Sequence, residues 1–172
     1  MDRVLIIIPT YNESENIVNL IRHINSISVE GYKIDILIID DNSDDGTSGM
    51  VKELKLDNIK VIDREKKMGL GTAYIRGFKY AIENNYDHVF EMDADFSHDP
   101  DSISDFLKYS KEYDLVIGSR YIHGIAVVNW PLSRLIISMG ASIYTRLITF
   151  LSVKDVTAGF MCYKVSSLNR YI

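Results

Sequence analysis

Two aspartates, Asp93 and Asp95, stand one residue apart in the stretch VFEMDADFSHDP, directly after an apolar run. On an extended chain, residues i and i+2 point to the same side, so both carboxylates can reach one spot while Met92 and Ala94 face away. Two negative charges placed so near each other need a cation to neutralise them. A hard divalent ion such as Mg²⁺ or Mn²⁺ takes oxygen ligands and commonly keeps positions for phosphate oxygens. The pair therefore predicts a metal site that bridges a diphosphate, where Ser97 adds a hydroxyl or holds a water.

Two further acids flank this pair. Asp99 precedes Pro100, the order that is typical of an aspartate capping a helix whose first residue is proline. Glu91 would point to the same side as the pair, one step deeper, and the sequence assigns it no chemical role. Asp-x-Asp also occurs in many surface turns, so its position after an apolar strand is what favours a function here.

Five short apolar runs that end in turn residues are typical of strands buried on both faces: Val4–Ile8, Ile34–Ile39, Ile59–Ile62, His88–Met92 and Leu115–Ile117. Apolar residues at helical spacing fill the gaps between them, and the first such stripe follows Asn12 and Glu15, which have the spacing of a capping box. Strands that alternate with helices require crossover connections. We therefore predict one α/β domain over residues 1–172, with a mostly parallel sheet flanked by helices.

In sheets of this kind, ligands bind outside the carboxyl ends of the strands. Polar loops follow the five predicted strands, and we expect them to converge on one edge: PTYNE (9–13), DDNSDDGT (40–47), REKKMGLGT (64–72), DADFS (93–97) and GSRY (118–121). In the second loop, Asp41 is placed to accept hydrogen bonds from a ribose or base. Asp44 and Asp45 are interpreted as turn formers.

Two other interpretations of these motifs are excluded by the position of the motif in the order of strands. The segment GLGTAYIRG has Tyr74 where the third glycine of a dinucleotide fingerprint should fall, and it follows the third strand rather than the first. We therefore exclude a nicotinamide site. DADFS loosely resembles the Asp-x-Asp-x-Thr motif of haloacid dehalogenase phosphotransferases, whose first aspartate is a nucleophile, but that motif should follow the first strand.

The charge and hydropathy of the chain limit its partners. A formal net charge of −5 argues against a nucleic-acid partner. The apolar run at the N-terminus stops at Pro9, so we interpret it as a strand rather than a signal peptide. The segment from Leu132 to Val153 carries Arg134 and Arg146, which leaves too short an uncharged stretch for the roughly 20 residues of a membrane span. We expect a buried helix there; a helix that touches a membrane surface is the alternative.

Taken together, six ordered motifs resemble the family-2 glycosyltransferases of GT-A (Rossmann-like) fold: IIIPTYNE, IIDDNSDDGT, KKMGLGTAYIRG, MDADFSHDP, GSRY and NWPLSR. Within that family the chain is most similar to the dolichyl-phosphate mannosyltransferases, or polyprenyl-phosphate mannose synthases. The resemblance extends from Val4 to about Tyr163. It implies a nucleotide-diphosphate sugar donor, most often GDP-mannose, a polyprenyl-phosphate acceptor in a membrane, and Mg²⁺ or Mn²⁺ at the Asp-x-Asp.

The resemblance also assigns site residues by position. It implies a nucleoside pocket made by Pro9, Tyr11, Glu13, Ile39 and Asp41. It places Asp93, Ala94 and Asp95 at the ribose, diphosphate and metal. Arg120 of GSRY and Arg134 of NWPLSR would be the cations near the reacting phosphates, and Arg120 would also touch the nucleotide sugar.

The chemistry that the resemblance implies is an inverting, single displacement at the anomeric carbon. The leaving diphosphate gains negative charge, which a divalent metal and an arginine would stabilise. The second pKa of a phosphate monoester is near 6, so at pH 7 the acceptor is mostly a dianion already and needs positioning rather than a general base. Acceptors that are sugar hydroxyls do need a base, and Asp155 in DVTAGF is the nearest candidate, although it can equally brace the site or cap a turn.

Several alternatives stay open at this point. They are glucosyl transfer from UDP-glucose to a lipid phosphate, transfer to another family-2 acceptor, and a nucleotide-sugar binding module without turnover. Members of the family usually continue beyond the equivalent of Ile172, with a basic loop that clamps the diphosphate, so a missing C-terminal segment or a partner chain is expected. We expect a cytoplasmic chain that is peripherally associated with the cytoplasmic face of a membrane.

Overall fold

Six strands and six helices make up the part of the chain that the computed structural model describes, namely residues 1–119, 132–151, 153 and 155–168, with only the backbone described for 132–136 and 139. The strands are β1 (Asp2–Thr10), β2 (Tyr32–Asp40), β3 (Ile59–Asp63), β4 (His88–Glu91), β5 (Leu115–Ile117) and β6 (Met161–Lys164). The helices are α1 (Ile17–Ser26), α2 (Thr47–Glu53), α3 (Leu70–Glu83), α4 (Ile103–Tyr109), α5 (Leu132–Thr149) and α6 (Val165–Leu168).

The strands form one sheet in the order β3-β2-β1-β4-β6-β5. The first four run parallel, while β6 is antiparallel to both β4 and β5. Because β5 therefore runs in the same direction as β4, the carboxyl ends of all five predicted strands lie at one edge. The predicted α/β architecture is confirmed, and β6 is an additional strand that the sequence analysis did not find.

The core lies on both faces of the sheet. Alternate residues of the central strand β1 pack on opposite sides: Ile6 and Ile8 against α1 and α4, and Leu5 and Ile7 against α3. All four are fully buried. Two-sided burial explains why this strand is a continuous apolar run rather than an alternating one.

The predicted capping box at the start of the first helix is wrong. α1 begins at Ile17 after Asn16, and no side chain caps it. Asn12 instead has a left-handed backbone conformation (φ 60°), and its Oδ1 accepts a hydrogen bond from the Asp44 N–H at 3.2 Å. The asparagine therefore ties two loops together, which removes it from the helix terminus.

The predicted buried helix between Leu132 and Val153 is also wrong in part. A helix is present, but α5 ends at Thr149, and its outer face exposes large apolar side chains: Ile137, Ile143, Tyr144, Leu147 and Ile148, followed by Phe150 and Leu151. Ser142, by contrast, is buried. No helix in the described part of the chain is long and apolar enough to cross a bilayer.

Candidate active site

The Asp-x-Asp pair lies just beyond the carboxyl end of β4, which stops at Glu91. Burial alternates along this segment: Met92 and Ala94 are buried in the core, whereas Asp95 is exposed and the Asp93 side chain is 40% exposed. The predicted alternation of side-chain directions is therefore confirmed. The core holds every second residue, which leaves the two carboxylates on the outside.

Asp93 is held by α3 and by its own loop. The buried Tyr74 hydroxyl of α3 donates to Asp93 Oδ1 at 3.3 Å, and the Asp93 N–H donates to His98 Nδ1 at 3.0 Å. Burial, followed by the nearby charge of Asp93, raises the pKa of Tyr74. The tyrosine therefore stays protonated and remains a hydrogen-bond donor to the carboxylate.

Asp95 is held by a turn of its own. The Ser97 N–H donates to Asp95 Oδ1 at 2.9 Å, across Phe96, which has a left-handed φ of 59°. Desolvation would raise the pKa of Asp95, but hydrogen bonds from Ser97 outweigh it and lower the pKa. Asp95 is therefore ionised at neutral pH. Ser97 braces Asp95 through its main chain, and its predicted contact with a metal stays a prediction.

Asp99 has the architectural role that its sequence position predicts. Its side chain accepts from the Asp101 N–H at 3.1 Å and caps a short 3₁₀ turn, Pro100–Ser102, that leads into α4. The cap closes the acidic loop on its far side. The loop thus contributes two acids to the open edge and one to its own structure.

The donors present fit a hard divalent cation. Asp93 and Asp95 offer carboxylate oxygens, which Mg²⁺ and Mn²⁺ prefer, at a site open to solvent on one side. Within the described residues, no three His, Cys, Asp or Glu side chains are grouped closely enough to hold a metal by themselves. A cation bound here would therefore depend on further oxygen ligands, such as those of a diphosphate.

The loops after β1 and β2 are bound to each other by hydrogen bonds from main chain to side chain. The Asn12 N–H donates to Ser43 Oγ, the Glu13 N–H to Thr47 Oγ1 and the Ser14 N–H to Asp45 Oδ2, each at 2.9 Å. Asp45 also accepts from the Thr47 N–H at 3.0 Å, which confirms its interpretation as a turn former. These contacts fix the shape of the predicted nucleoside pocket.

Asp41 connects the second loop to the third. Its carboxylate pairs with the Arg64 guanidinium and accepts from the Met68 N–H at 3.2 Å. Both side chains of the ion pair are only 9% exposed. Arg64 also donates to Thr72 Oγ1 at 2.6 Å and to the Gly69 carbonyl at 3.3 Å. The third loop is thereby wrapped around one guanidinium, and Asp41 has two protein partners in this structure.

The remaining residues of the predicted nucleoside pocket lie near this junction. Tyr11 is exposed, and Lys67 Nζ from the third loop lies 3.8 Å from the centre of its ring. Pro9 and Glu13 are partly buried at the same edge. The side chain of Ile39 is fully buried under α3, so contact between Ile39 and a nucleoside would use its main chain. The structure thus brings the pocket residues to one edge, and their binding role stays a prediction.

The predicted cations cannot be placed in the same way. Arg120 and the side chain of Arg134 lie outside the described residues, although the backbone of Arg134 belongs to the first turn of α5. Asp155, the candidate base, is buried, and its Oδ1 accepts from both the N–H and the hydroxyl of Thr157 at 3.2 Å. These bonds to the residue two positions on match the turn cap, one of the two structural alternatives predicted for this acid.

Glu91, which the sequence left without a role, lies partly buried beneath the pair. Burial raises its pKa to about 7; the charge of Asp93 adds to the increase, and a hydrogen bond with Tyr163 opposes it. Sequence reasoning also missed Arg64, Tyr74 and His98 as partners of the predicted acids. Arg64 stands in the loop REKKMGLGT, Tyr74 in KKMGLGTAYIRG and His98 in MDADFSHDP, but only the folded chain shows which acid each one contacts.

Comparison with known proteins identifies the family of the chain. The profile of glycosyl transferase family 2 matches residues 5–172, so the chain belongs to that family. It is 41% identical over 168 residues to an undecaprenyl-phosphate mannosyltransferase of Micrococcus luteus, a match that covers 96% of this chain and 68% of that protein. It is 40% identical to a polyprenol monophosphomannose synthase of Mycolicibacterium smegmatis, covering 98% of this chain and 64% of that protein.

A third relative, a dolichol-phosphate mannosyltransferase of Pyrococcus furiosus, is 39% identical over 94% of this chain and 46% of its own length. The chain thus spans between about half and two thirds of these curated relatives. Among solved structures, a mannosyltransferase of Pyrobaculum calidifontis in complex with GDP-Man and Mn²⁺ has a TM-score of 0.66 at 18% identity, covering 98% of this chain and 46% of that one. The expected GT-A fold is confirmed.

The buried Arg64–Asp41 pair can be tested against an exposed ion pair between α2 and the end of β3. In Arg64→Ala the Asp41 carboxylate is left without its cation, and we expect a loss of about 3 kcal/mol in unfolding free energy. Lys52→Ala breaks the Lys52–Asp63 pair, whose side chains are each 51% exposed, and should cost less than about 1 kcal/mol because solvent screens it. Urea unfolding measures both. Equal losses would show that Arg64 is not the organising partner of Asp41.

The raised pKa of Glu91 makes stability depend on pH. The carboxyl has its ordinary pKa, near 4.5, in the unfolded chain and about 7 in the folded chain, so the folded state binds the proton more tightly. Its contribution is fully present below pH 4.5, declines as pH rises towards 7, and is lost above that. Urea unfolding without metal at pH 5 and pH 8 should therefore show a larger decline in the parent than in Glu91→Gln. An equal decline of the unfolding free energy in the parent and in Glu91→Gln would contradict the raised pKa of Glu91.

Proposed function

We propose that the chain is the donor-binding and catalytic part of a metal-dependent mannosyltransferase. It transfers mannose from GDP-mannose to a polyprenyl phosphate with inversion at the anomeric carbon. The observation that carries the proposal is the pair of solvent-facing carboxylates, Asp93 and Asp95, at the carboxyl end of β4. The names of the three relatives, each about 40% identical, support mannose as the sugar and a polyprenyl phosphate as the acceptor.

The described residues suit the two ends of a sugar nucleotide. The interlocked loops after β1, β2 and β3 form the nucleoside end, with Tyr11 as an exposed ring and Asp41 as a buried acceptor. Asp93 and Asp95 form the diphosphate end and would hold Mg²⁺ or Mn²⁺. A bound divalent cation supplies positive charge where the leaving diphosphate becomes more negative. Tyr74 and Ser97 keep the two carboxylates in place for that role.

The acceptor side of the reaction needs orientation more than proton transfer. A phosphate monoester is largely a dianion at pH 7, so its oxygen can attack without a general base. The bonds from Thr157 to Asp155 support a structural role for that buried acid. Arg120 and Arg134 are the proposed cations at the two phosphate groups.

The outer face of α5 supports peripheral binding to a membrane that contains the acceptor. Its large exposed side chains are mostly apolar, with Arg146 exposed among them, the inward Ser142 is small and polar, and the helix has two arginines and no acid. A helix with an apolar outer face and cationic residues is suited to the boundary between acyl chains and anionic headgroups. We propose that this face lies on the cytoplasmic leaflet.

Donor and metal binding can be measured as thermal stabilisation. We expect GDP-mannose with Mn²⁺ to raise the melting temperature, because a ligand at about 100 times its Kd adds about 2.7 kcal/mol of stability. UDP-glucose should raise it less, and Asp95→Ala should abolish the part that depends on Mn²⁺. Asp99→Asn is the matched control, because asparagine also caps helices and the acid is assigned no ligand.

Each outcome of this titration bears on one part of the proposal. Stabilisation of Asp95→Ala equal to that of the parent would exclude the metal assignment. A stronger response to UDP-glucose would replace mannose by glucose as the transferred sugar. Stabilisation by donor without transfer to a polyprenyl phosphate would identify a binding module.

The membrane proposal predicts binding to vesicles of phosphatidylcholine and phosphatidylglycerol. The double variant Ile137→Ser, Leu147→Ser removes two of the most exposed side chains of α5 and should lower partitioning by about 10-fold or more, equivalent to about 1.4 kcal/mol. Tyr109→Ser, Tyr113→Ser is the control, because these exposed aromatic residues lie on and beyond α4. Cosedimentation measures both. Equal effects, or a parent that dimerises through α5 without binding vesicles, would refute the proposal.

A further inference from the structure

His98 follows the acidic loop and contacts its first acid twice. Its Nδ1 accepts the Asp93 N–H at 3.0 Å, and its Nε2 lies 3.7 Å from Asp93 Oδ2. The side chain is only 13% exposed. The hydrogen bond closes residues 93–98 into a loop at the point where the chain leaves the sheet. The direction of the Asp93 carboxylate therefore depends on the place of the imidazole.

The direction of this hydrogen bond fixes the tautomer of the ring. Because Nδ1 accepts from a main-chain N–H, the ring hydrogen of the neutral imidazole is on Nε2. Asp93 Oδ2 lies 3.7 Å from Nε2, which exceeds a normal hydrogen bond, so the carboxylate is a close neighbour of the ring rather than its hydrogen-bond partner. His98 therefore holds Asp93 through the main chain, by the bond to Nδ1.

The ring itself is fixed by the core. It stacks on Phe160, with ring centroids 5.1 Å apart and planes 10° from parallel. Phe160 in turn packs against Phe106 at 4.4 Å and Phe90 at 6.1 Å. His98 therefore connects the aromatic core beneath β4 and β6 to the exposed acidic edge.

Gly159 closes the other side of the ring. A Cβ at this position would lie 3.2 Å from His98 Cε1, 3.3 Å from its Nε2 and 3.7 Å from Asp93 Oδ2. The first two distances are tighter than ordinary van der Waals contact, so a side chain here would displace the imidazole. The segment before β6 thus approaches His98 closely only because residue 159 has no side chain.

We propose that His98 is a positioning residue for the metal and diphosphate site. It acts through Asp93, by fixing the main chain from which that carboxylate extends, and Gly159 and Phe160 hold it in place. The inference rests on the proposed function, because Asp93 is a metal ligand only if that function is correct. Partners that orient metal ligands in this way commonly change metal affinity by about 10- to 100-fold when they are lost.

Two substitutions separate positioning from ordinary packing. His98→Phe keeps an aromatic ring for the stack on Phe160 but has no acceptor for the Asp93 N–H. His98→Asn loses the stack but offers Oδ1 near the former place of Nδ1. If His98 only packs, the phenylalanine variant should resemble the parent and the asparagine variant should be the damaged one.

The measurement is the Mn²⁺ concentration at the midpoint of the rise in melting temperature, at a saturating level of whichever of GDP and UDP stabilises the parent. We expect the midpoint to increase by about 10-fold or more in His98→Phe and to stay within about threefold of the parent in His98→Asn. The Mn²⁺ midpoint of His98→Phe should be higher than that of His98→Asn, regardless of which variant has the lower melting temperature without ligands. Gly159→Ala should shift the midpoint in the same direction as His98→Phe, without removing any polar atom.

His23→Phe is the control, because His23 is a surface histidine whose Nε2 lies 2.9 Å from Asp101 Oδ1, an acid with no assigned role in the metal site. It should leave the midpoint unchanged. A responsive parent with an unchanged His98→Phe midpoint, or midpoints that simply follow the melting temperatures of the unliganded variants, would overturn the role of His98 alone. A parent that does not respond to Mn²⁺ with either nucleotide would overturn the proposed metal site and this inference together.

Discussion

Burial of every second residue beyond β4 is the physical constraint around which the acidic edge is built. Met92 and Ala94 are buried in the core, so Asp93 and Asp95, which lie between and after them, are left on the solvent side. Two acids on one side of a short loop favour a cation between them. Hydrogen bonds from Tyr74 and Ser97 then set the two side chains individually. The stability of the core thus maintains a charge arrangement that a cation can neutralise.

At the nucleoside end of the same edge, the charge of the acid is neutralised in a different way. Asp41 is buried and paired with Arg64, so its charge is neutralised within the protein. The interlocked loops around it satisfy main-chain N–H groups with side chains of the neighbouring loop. Such contacts leave little for a ligand to reorganise, which lowers the ordering cost of binding. The two ends therefore differ. The Asp41 end is closed and its charge is neutralised, whereas the end with Asp93 and Asp95 is open and negative.

Much of this arrangement could be predicted from local sequence. The five predicted strands, the convergence of their loops on one edge and the cap at Asp99 follow from patterns of residues that are near each other in the chain, and the structure confirms them. β6 escaped detection because only one of its four residues is fully buried, so it lacks the apolar run of a central strand. Arg64 and Asp41 are 23 residues apart, and nothing local indicates that they pair. The capping box failed because Asn12 is bound by the neighbouring loop instead.

The exposure of apolar side chains on α5 could not be predicted from local sequence either. Apolar composition predicted burial, but composition does not state which face of a helix the fold covers. Large side chains face outwards while Ser142 is buried, an arrangement that water disfavours. Ser138 Oγ lies 3.4 Å from Thr157 Oγ1, next to the segment whose Gly159 abuts His98. One end of this connection is the exposed apolar face of α5, and the other leads to the acidic edge.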